Sequence, residues 1–138
     1  MSDVRTSPLG TAQSRRRAPS VLVVDDVYEV RRAHTRFFHG SEMEVFSAEN
    51  GAQALDAVRR VMPDVVVTDV DMPVMDGLDL CRQLRSDAAT RAVVIVMVTG
   101  DASEQAQAAK DAGCDAILPK PCSRTLLLAT IRLLLERR

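Results

Sequence analysis

The stretch Asp64-Val65-Val66-Val67-Thr68-Asp69-Val70-Asp71-Met72-Pro73 decides how this chain folds. An unbroken run of β-branched residues reads as a strand covered on both faces, the kind found inside parallel sheets. The run stops on a carboxylate, Asp69, and a loop carrying Pro73 follows. Three other runs have the same form. Val21-Leu22-Val23-Val24 leads into Asp25-Asp26, Val93-Val94-Ile95-Val96-Met97-Val98 leads into Thr99, and Ala116-Ile117-Leu118-Pro119 leads into Lys120-Pro121. Sites in such sheets lie outside the carboxyl ends of the strands. The pattern therefore predicts that Asp25, Asp26, Asp69, Thr99 and Lys120 converge at one edge.

Working outward, strand and helix signals alternate. Strands are expected at Val21–Val24, Glu44–Ala48, Asp64–Asp69, Val93–Val98 and Ala116–Leu118. Helices are expected from Tyr28 to Phe38, ending near Gly40, and from Ala52 to Val61, stopping before Pro63. A third runs from Leu78 to Arg85 behind the cap Asp76, and a fourth covers Ser103–Ala112 and stops at Gly113. Ser123 caps a last helix. Five such units imply an α/β fold with right-handed crossovers. Residues 20–138 are expected to form one domain, and residues 1–19, rich in Ser, Gly, Pro and Arg, a disordered tail. Arg15-Arg16-Arg17 reads as a solvated charge run within that tail.

Composition narrows the function. With a formal net charge of −1 and 3% aromatic residues, the chain has neither the basic footprint nor the stacking platforms of a nucleic-acid binder. No apolar stretch is long enough to cross a membrane. Cys81, Cys114 and Cys122 fit no zinc or redox spacing and read as reduced, mostly packed thiols of a cytoplasmic protein.

The convergent residues have a coherent chemistry. Asp69 is the candidate nucleophile, able to accept a phosphoryl group as an acyl phosphate. Asp25 and Asp26 would repel the incoming anion, and a Mg²⁺ ion removes that repulsion. Lys120 supplies a compact positive charge, and the Thr99 hydroxyl a hydrogen-bond donor. Each alone is ordinary, since an Asp after a strand is usually a turn residue. Their joint placement is the signal. His34 lies in an Arg-rich helical segment and is expected on its surface; neither it nor His39 joins the site.

At these residues the chain resembles the receiver domain of two-component response regulators. The resemblance runs from Val21 to the C-terminus. It rests on Asp25-Asp26, on Asp69-Val70-Asp71-Met72-Pro73 followed by Met75-Asp76-Gly77, on Thr99-Gly100 and on Lys120-Pro121. It implies a flavodoxin-like, doubly wound five-stranded parallel sheet of order 2-1-3-4-5 with helices on both faces. It implies phosphorylation of Asp69 by a histidine kinase or a histidine phosphotransfer protein, with no turnover beyond self-phosphorylation and self-dephosphorylation. Mg²⁺ would be held by Asp26 and Asp69, by Asp25 partly through water, and by the backbone carbonyl of Asp71. The Lys120–Pro121 bond would be cis.

The chain departs from the family in two places: Ile117 stands where an aromatic is frequent, and Cys122 where Phe is frequent. The resemblance points to a stand-alone, chemotaxis-type receiver that relays the phosphoryl group or switches binding of a downstream effector protein. A homodimer contact through the fourth helix, fifth strand and last helix is part of that picture. On the last helix, Leu127, Ile131 and Leu134 should face the sheet, widened by Leu128 and Leu135, leaving Leu126 and Leu133 outward.

The competing reading is an aspartyl-phosphate phosphatase. Val66-Val67-Thr68-Asp69-Val70-Asp71 looks like the haloacid dehalogenase nucleophile motif, and Val98-Thr99 like its second motif. That family places its nucleophile strand first and its acidic pair last, the reverse of this order. A flavin site on the same fold is disfavoured by the repulsion of Asp25-Asp26 against a flavin phosphate.

Overall fold

The structure, a computed structural model, describes residues 18–138. The arginine run at 15–17 and nearly all of the expected tail lie outside those residues. Five strands, β1 (Ser20–Val24), β2 (Glu44–Ala48), β3 (Val65–Asp69), β4 (Val94–Thr99) and β5 (Ala116–Pro119), alternate with five helices. The helices are α1 (Tyr28–Gly40), α2 (Gly51–Val61), α3 (Gly77–Ser86), α4 (Ala102–Ala112) and α5 (Arg124–Arg137). All strand pairs are parallel and the order is β2-β1-β3-β4-β5, the flavodoxin-like arrangement.

The continuous apolar runs have a direct cause: each central strand is buried on both sides. Leu22, Val66, Ile95 and Met97 face one layer, packed with Val58 of α2, Leu80 of α3 and Ala109 of α4. Val23, Val67, Val96 and Val98 face the other, packed with Phe38 of α1 and Leu127 and Ile131 of α5. Leu126 and Leu133 are about half exposed, as their spacing predicts.

The caps follow elementary rules. Asp76 accepts the Asp79 N–H at 2.8 Å, and Ser123 accepts the Leu126 N–H at 3.2 Å. Gly113 ends α4 at φ 101°, a left-handed conformation that costs glycine little. Asn50 caps α2 by accepting the Gln53 N–H at 2.9 Å, which starts that helix at Gly51 rather than Ala52.

Several strand boundaries shift by one residue from the sequence expectation: β1 starts at Ser20 and β5 ends at Pro119. β4 runs from Val94 through Thr99, and β3 begins at Val65, leaving Asp64 outside it. The Asp64 side chain instead ties three elements together. Its carboxylate accepts the Ser20 N–H at 2.7 Å, the Ser20 hydroxyl at 3.2 Å and the Arg138 guanidinium at 2.8 Å. Burial pushes its pKa up, but the donors from Ser20 and Arg138 outweigh this and hold it below the usual carboxylate range. A carboxylate with a depressed folded pKa contributes stability above its unfolded pKa, near 3.9, and loses it as pH falls through the folded value. Asp64→Asn is therefore expected to lower stability at neutral pH and to flatten the acid limb of the stability curve. Chemical denaturation between neutral and strongly acidic pH checks this; an acid limb as steep as that of the parent chain would refute it.

Candidate functional site

Sheet register builds the site. β1 and β3 pair with Val24 opposite Thr68, so the next residues, Asp25 and Asp69, emerge side by side. They do so where the strand order reverses, at the crevice typical of doubly wound sheets. β3 and β4 pair with Asp69 opposite Val98, which places Thr99 one residue beyond. β4 and β5 pair with Thr99 opposite Pro119, which places Lys120 next.

Lys120 is the hub. Its Nζ lies 3.1 Å from Asp25 Oδ2 and 3.2 Å from Asp69 Oδ2. The Lys120 backbone N–H donates to the Thr99 carbonyl at 2.9 Å, which locks the lysine's stem to β4. The Lys120–Pro121 bond is cis. Burial lowers the lysine's pKa, yet its bonds to Asp25 and Asp69 raise it overall, so the ammonium stays charged.

The carboxylates differ. Asp25 is buried, and its Oδ1 accepts the Val27 N–H at 2.9 Å. Asp26 is exposed. Asp69 is largely buried, and burial, with the Asp25 charge adding to it, raises its pKa despite the pull of Lys120. Asp25, Asp26 and Asp69 each present an oxygen within 4.8 Å of the others, a spacing that can hold a divalent cation. Hard oxygen donors of this kind suit Mg²⁺ rather than a soft metal. Asp71 sits two residues beyond Asp69 in an exposed loop, and no described backbone N–H donates to its carbonyl.

Thr99 is buried, and its Oγ1 accepts the Asp101 N–H at 3.3 Å. Gly77 backs the end of β3. Its N–H donates to the Val70 carbonyl at 2.8 Å, and a Cβ there would collide with the Asp69 carbonyl oxygen. Asp76-Gly77 was visible in the sequence, but the reason for glycine is a tertiary approach no local pattern shows.

His34 corrects the sequence expectation. It is half-buried, not on the open face of α1, and lines a cavity together with Lys120 and Arg124. Arg124, the first residue of α5, faces the same cavity from the other side. His39 is exposed, as expected, and outside the site.

Comparison with known proteins agrees with this geometry. The family described as response regulator receiver domain matches residues 21–132. Response regulator MprA of Mycobacterium sp. (strain KMS) is 42% identical over 117 residues, covering 85% of this chain and 50% of that protein. The MprA of Mycobacterium leprae is also 42% identical over 117 residues, covering 85% of this chain and 51% of that protein. The chain thus spans about half the length of the curated relatives it matches. Among solved structures, chemotaxis protein CheY4 of Vibrio cholerae superposes with a TM-score of 0.80 at 30% identity, covering 85% of this chain and 98% of that one. The receiver domain of the Francisella response regulator 1452 gives 0.79 at 28% identity, covering 86% and 98%. With its nucleophile candidate on the third strand and its acidic pair on the first, and with these similarities, the chain belongs to the response regulator receiver domain family.

Proposed function

We propose that Asp69 accepts a phosphoryl group from a phosphohistidine of a histidine kinase or histidine phosphotransfer protein. The observation that carries this reading is the single ammonium of Lys120 held between Asp25 and Asp69, beside three carboxylates within 4.8 Å. An Asp69 carboxylate oxygen attacks phosphorus; the new O–P bond forms as the donor's N–P bond breaks, and the imidazole nitrogen leaves with the electron pair. Lys120 then pairs with a phosphoryl oxygen, and the Thr99 hydroxyl donates to another. Mg²⁺, held by Asp25, Asp26, Asp69 and the Asp71 carbonyl, would neutralise charge between the carboxylates and the phosphoryl oxygens. In this reading residues 20–138 are one receiver unit acting in the cytoplasm, where the free thiols of Cys81, Cys114 and Cys122 stay reduced, and its product is a changed contact with an effector protein. Incubation with acetyl phosphate tests the chemistry: intact-mass spectrometry should show one added phosphoryl group with Mg²⁺ and none with a chelator. Repeated turnover of a small phosphate ester would favour the phosphatase reading instead.

Activation is expected to proceed without an aromatic switch. Ile117 is half-buried against the core and has neither a ring to flip nor a hydroxyl to bond. When Thr99 Oγ1 turns from the Asp101 N–H to the phosphoryl group, the loop 100–103 loses a tether and the start of α4 shifts with it. Structures with and without beryllofluoride should differ there, and an unchanged α4 start would reject this route.

The α4–β5–α5 face, with outward Leu126 and Leu133, is the proposed contact surface for a second copy or an effector. Replacing both leucines with Gln should reduce phosphorylation-dependent association several-fold while leaving phosphoryl uptake intact. Unchanged association would remove this face from consideration.

A further inference from the structure

We propose that the open edge of β2, beside α1, is a docking site for an extended acidic segment of another protein, added to the sheet as a further strand. β2 pairs with β1 alone. The Glu44 N–H donates to the Pro19 carbonyl, and the Ala48 carbonyl accepts the Asp25 N–H, so Glu44 and Ala48 turn these backbone groups toward β1. Successive residues of a strand direct their backbone groups to alternate sides, and Val45 and Ser47 therefore turn their N–H and C=O outward. No described backbone group meets them there. Such an edge holds an incoming strand by main-chain hydrogen bonds, and the side chains beside it select which strand is taken.

Those side chains are basic. Tyr28, Arg31, Arg32, Thr35 and Arg36 of α1 and Ser47 of β2 line a groove of about 370 Å³ that has no carboxylate in its walls. Tyr28 steadies two of the arginines: the Arg31 guanidinium lies 5.5 Å from its ring centre, and Arg32 donates to its hydroxyl at 3.0 Å. None of the three arginines pairs with a described carboxylate. The neighbouring acidic residues do not cancel them. Glu29 lines the cavity on the opposite side of α1, and Asp26 gathers with Asp25 and Asp69. Glu44 projects from the face of β2 opposite to Ser47, and Glu49, just past the strand, offsets one positive charge of the three. Arg32 and Arg36 are both exposed and stand one helical turn apart, about 6 Å. Alternate residues of a strand are roughly 7 Å apart, so carboxylates at alternate positions of the added strand match the two guanidinium groups. The chain's own residues 1–17 do not fit, since they carry Arg5, Arg15, Arg16 and Arg17 against Asp3. A second copy pairing edge to edge would set one group of arginines against another.

The test uses the full unphosphorylated chain without Mg²⁺, so its outcome is independent of whether Asp69 accepts phosphate. The probe is the capped peptide Thr-Glu-Val-Glu-Val-Glu-Thr, with a version carrying Gln for Glu and a version N-methylated along its backbone. Titrated into isotope-labelled protein, the Glu peptide should shift the amides of Val45 and Ser47 and slow their hydrogen exchange, because their N–H groups become donors to it. The Gln version should bind about tenfold more weakly, and the double variant Arg32→Gln, Arg36→Gln should remove most of that difference. Thermal melts show whether the double variant is folded, and the Gln peptide on the parent chain decides the role of charge in either case. The N-methylated version keeps its charges but cannot donate to the edge, and it should not bind. No shifts at millimolar peptide, shifts centred elsewhere, equal binding of the Glu and Gln versions, or undiminished binding of the N-methylated one would each overturn the proposal.

Discussion

An Asp69→Asn chain is expected to take up no phosphoryl group and to melt at a higher temperature than the parent chain at neutral pH. The first effect follows from chemistry: the amide cannot form the acyl phosphate that a carboxylate forms. The second follows from the site's electrostatics. Burial raises the pKa of Asp69, and the neighbouring Asp25 charge adds to that, although Lys120 pulls the other way. A carboxyl group whose folded pKa lies above its unfolded value binds its proton more tightly in the folded state. Its contribution is complete below the unfolded pKa and is lost as pH rises through the folded pKa. At neutral pH the ionised carboxylate is therefore a net burden on the fold, and the neutral isostere relieves it. Asp64 has the opposite sign, because its folded pKa is depressed and its ionised form stabilises. The two Asp→Asn variants should thus move the melting temperature in opposite directions at pH 7 in chelator. Phosphoryl uptake by Asp69→Asn at the parent level, or a melting temperature below the parent's, would contradict this account.

Replacing Arg85 with Met is expected to cost about 3 kcal/mol of stability, roughly a 10 °C fall in melting temperature, without touching the phosphorylation chemistry. Arg85, on α3, reaches under the sheet at the end remote from Asp69. Its Nε donates to the Gly113 carbonyl at 2.8 Å, and one terminal nitrogen donates to the carbonyls of Arg91 at 2.8 Å and Val93 at 2.6 Å. The other terminal nitrogen meets Asp115 Oδ2 at 2.9 Å, and that carboxylate also accepts the Ile95 N–H at 2.8 Å. One guanidinium therefore joins α3, the turn after α4, and the starts of β4 and β5. Removing it leaves the partly buried carbonyls of Gly113 and Val93 without their donor and breaks the more exposed bonds to Arg91 and Asp115, each bond being worth about 1 kcal/mol. Arg85→Lys should restore little, because a compact ammonium cannot reach diverging acceptors as a planar fork does. Urea titration measures the loss; a change below about 1 kcal/mol would show that water replaces the clasp.

Both residues mark where the sequence stops being informative. By itself the sequence determined the alternation of strands and helices, because strands buried on two faces must be continuous apolar runs, and β1, β3 and β4 are written that way. It also determined which end of the sheet gathers the candidate site residues, since Asp25, Asp69, Thr99 and Lys120 each directly follow or close such a run. The caps at Asp76 and Ser123 and the stop at Gly113 were legible for the same reason: their physics is confined to one turn of chain. Only the tertiary structure decided the rest. Register between β1 and β3 put Asp25 beside Asp69, and the pairing of β4 with β5 brought Lys120 to both. The burial that raises the pKa of Asp69, the half-buried setting of His34, the carbonyl that admits only glycine at position 77, and the clasp of Arg85 all depend on residues far away in the chain. Periodicity reports which face of an element is apolar; which partner that face meets, and how much water remains, is set when distant elements pack.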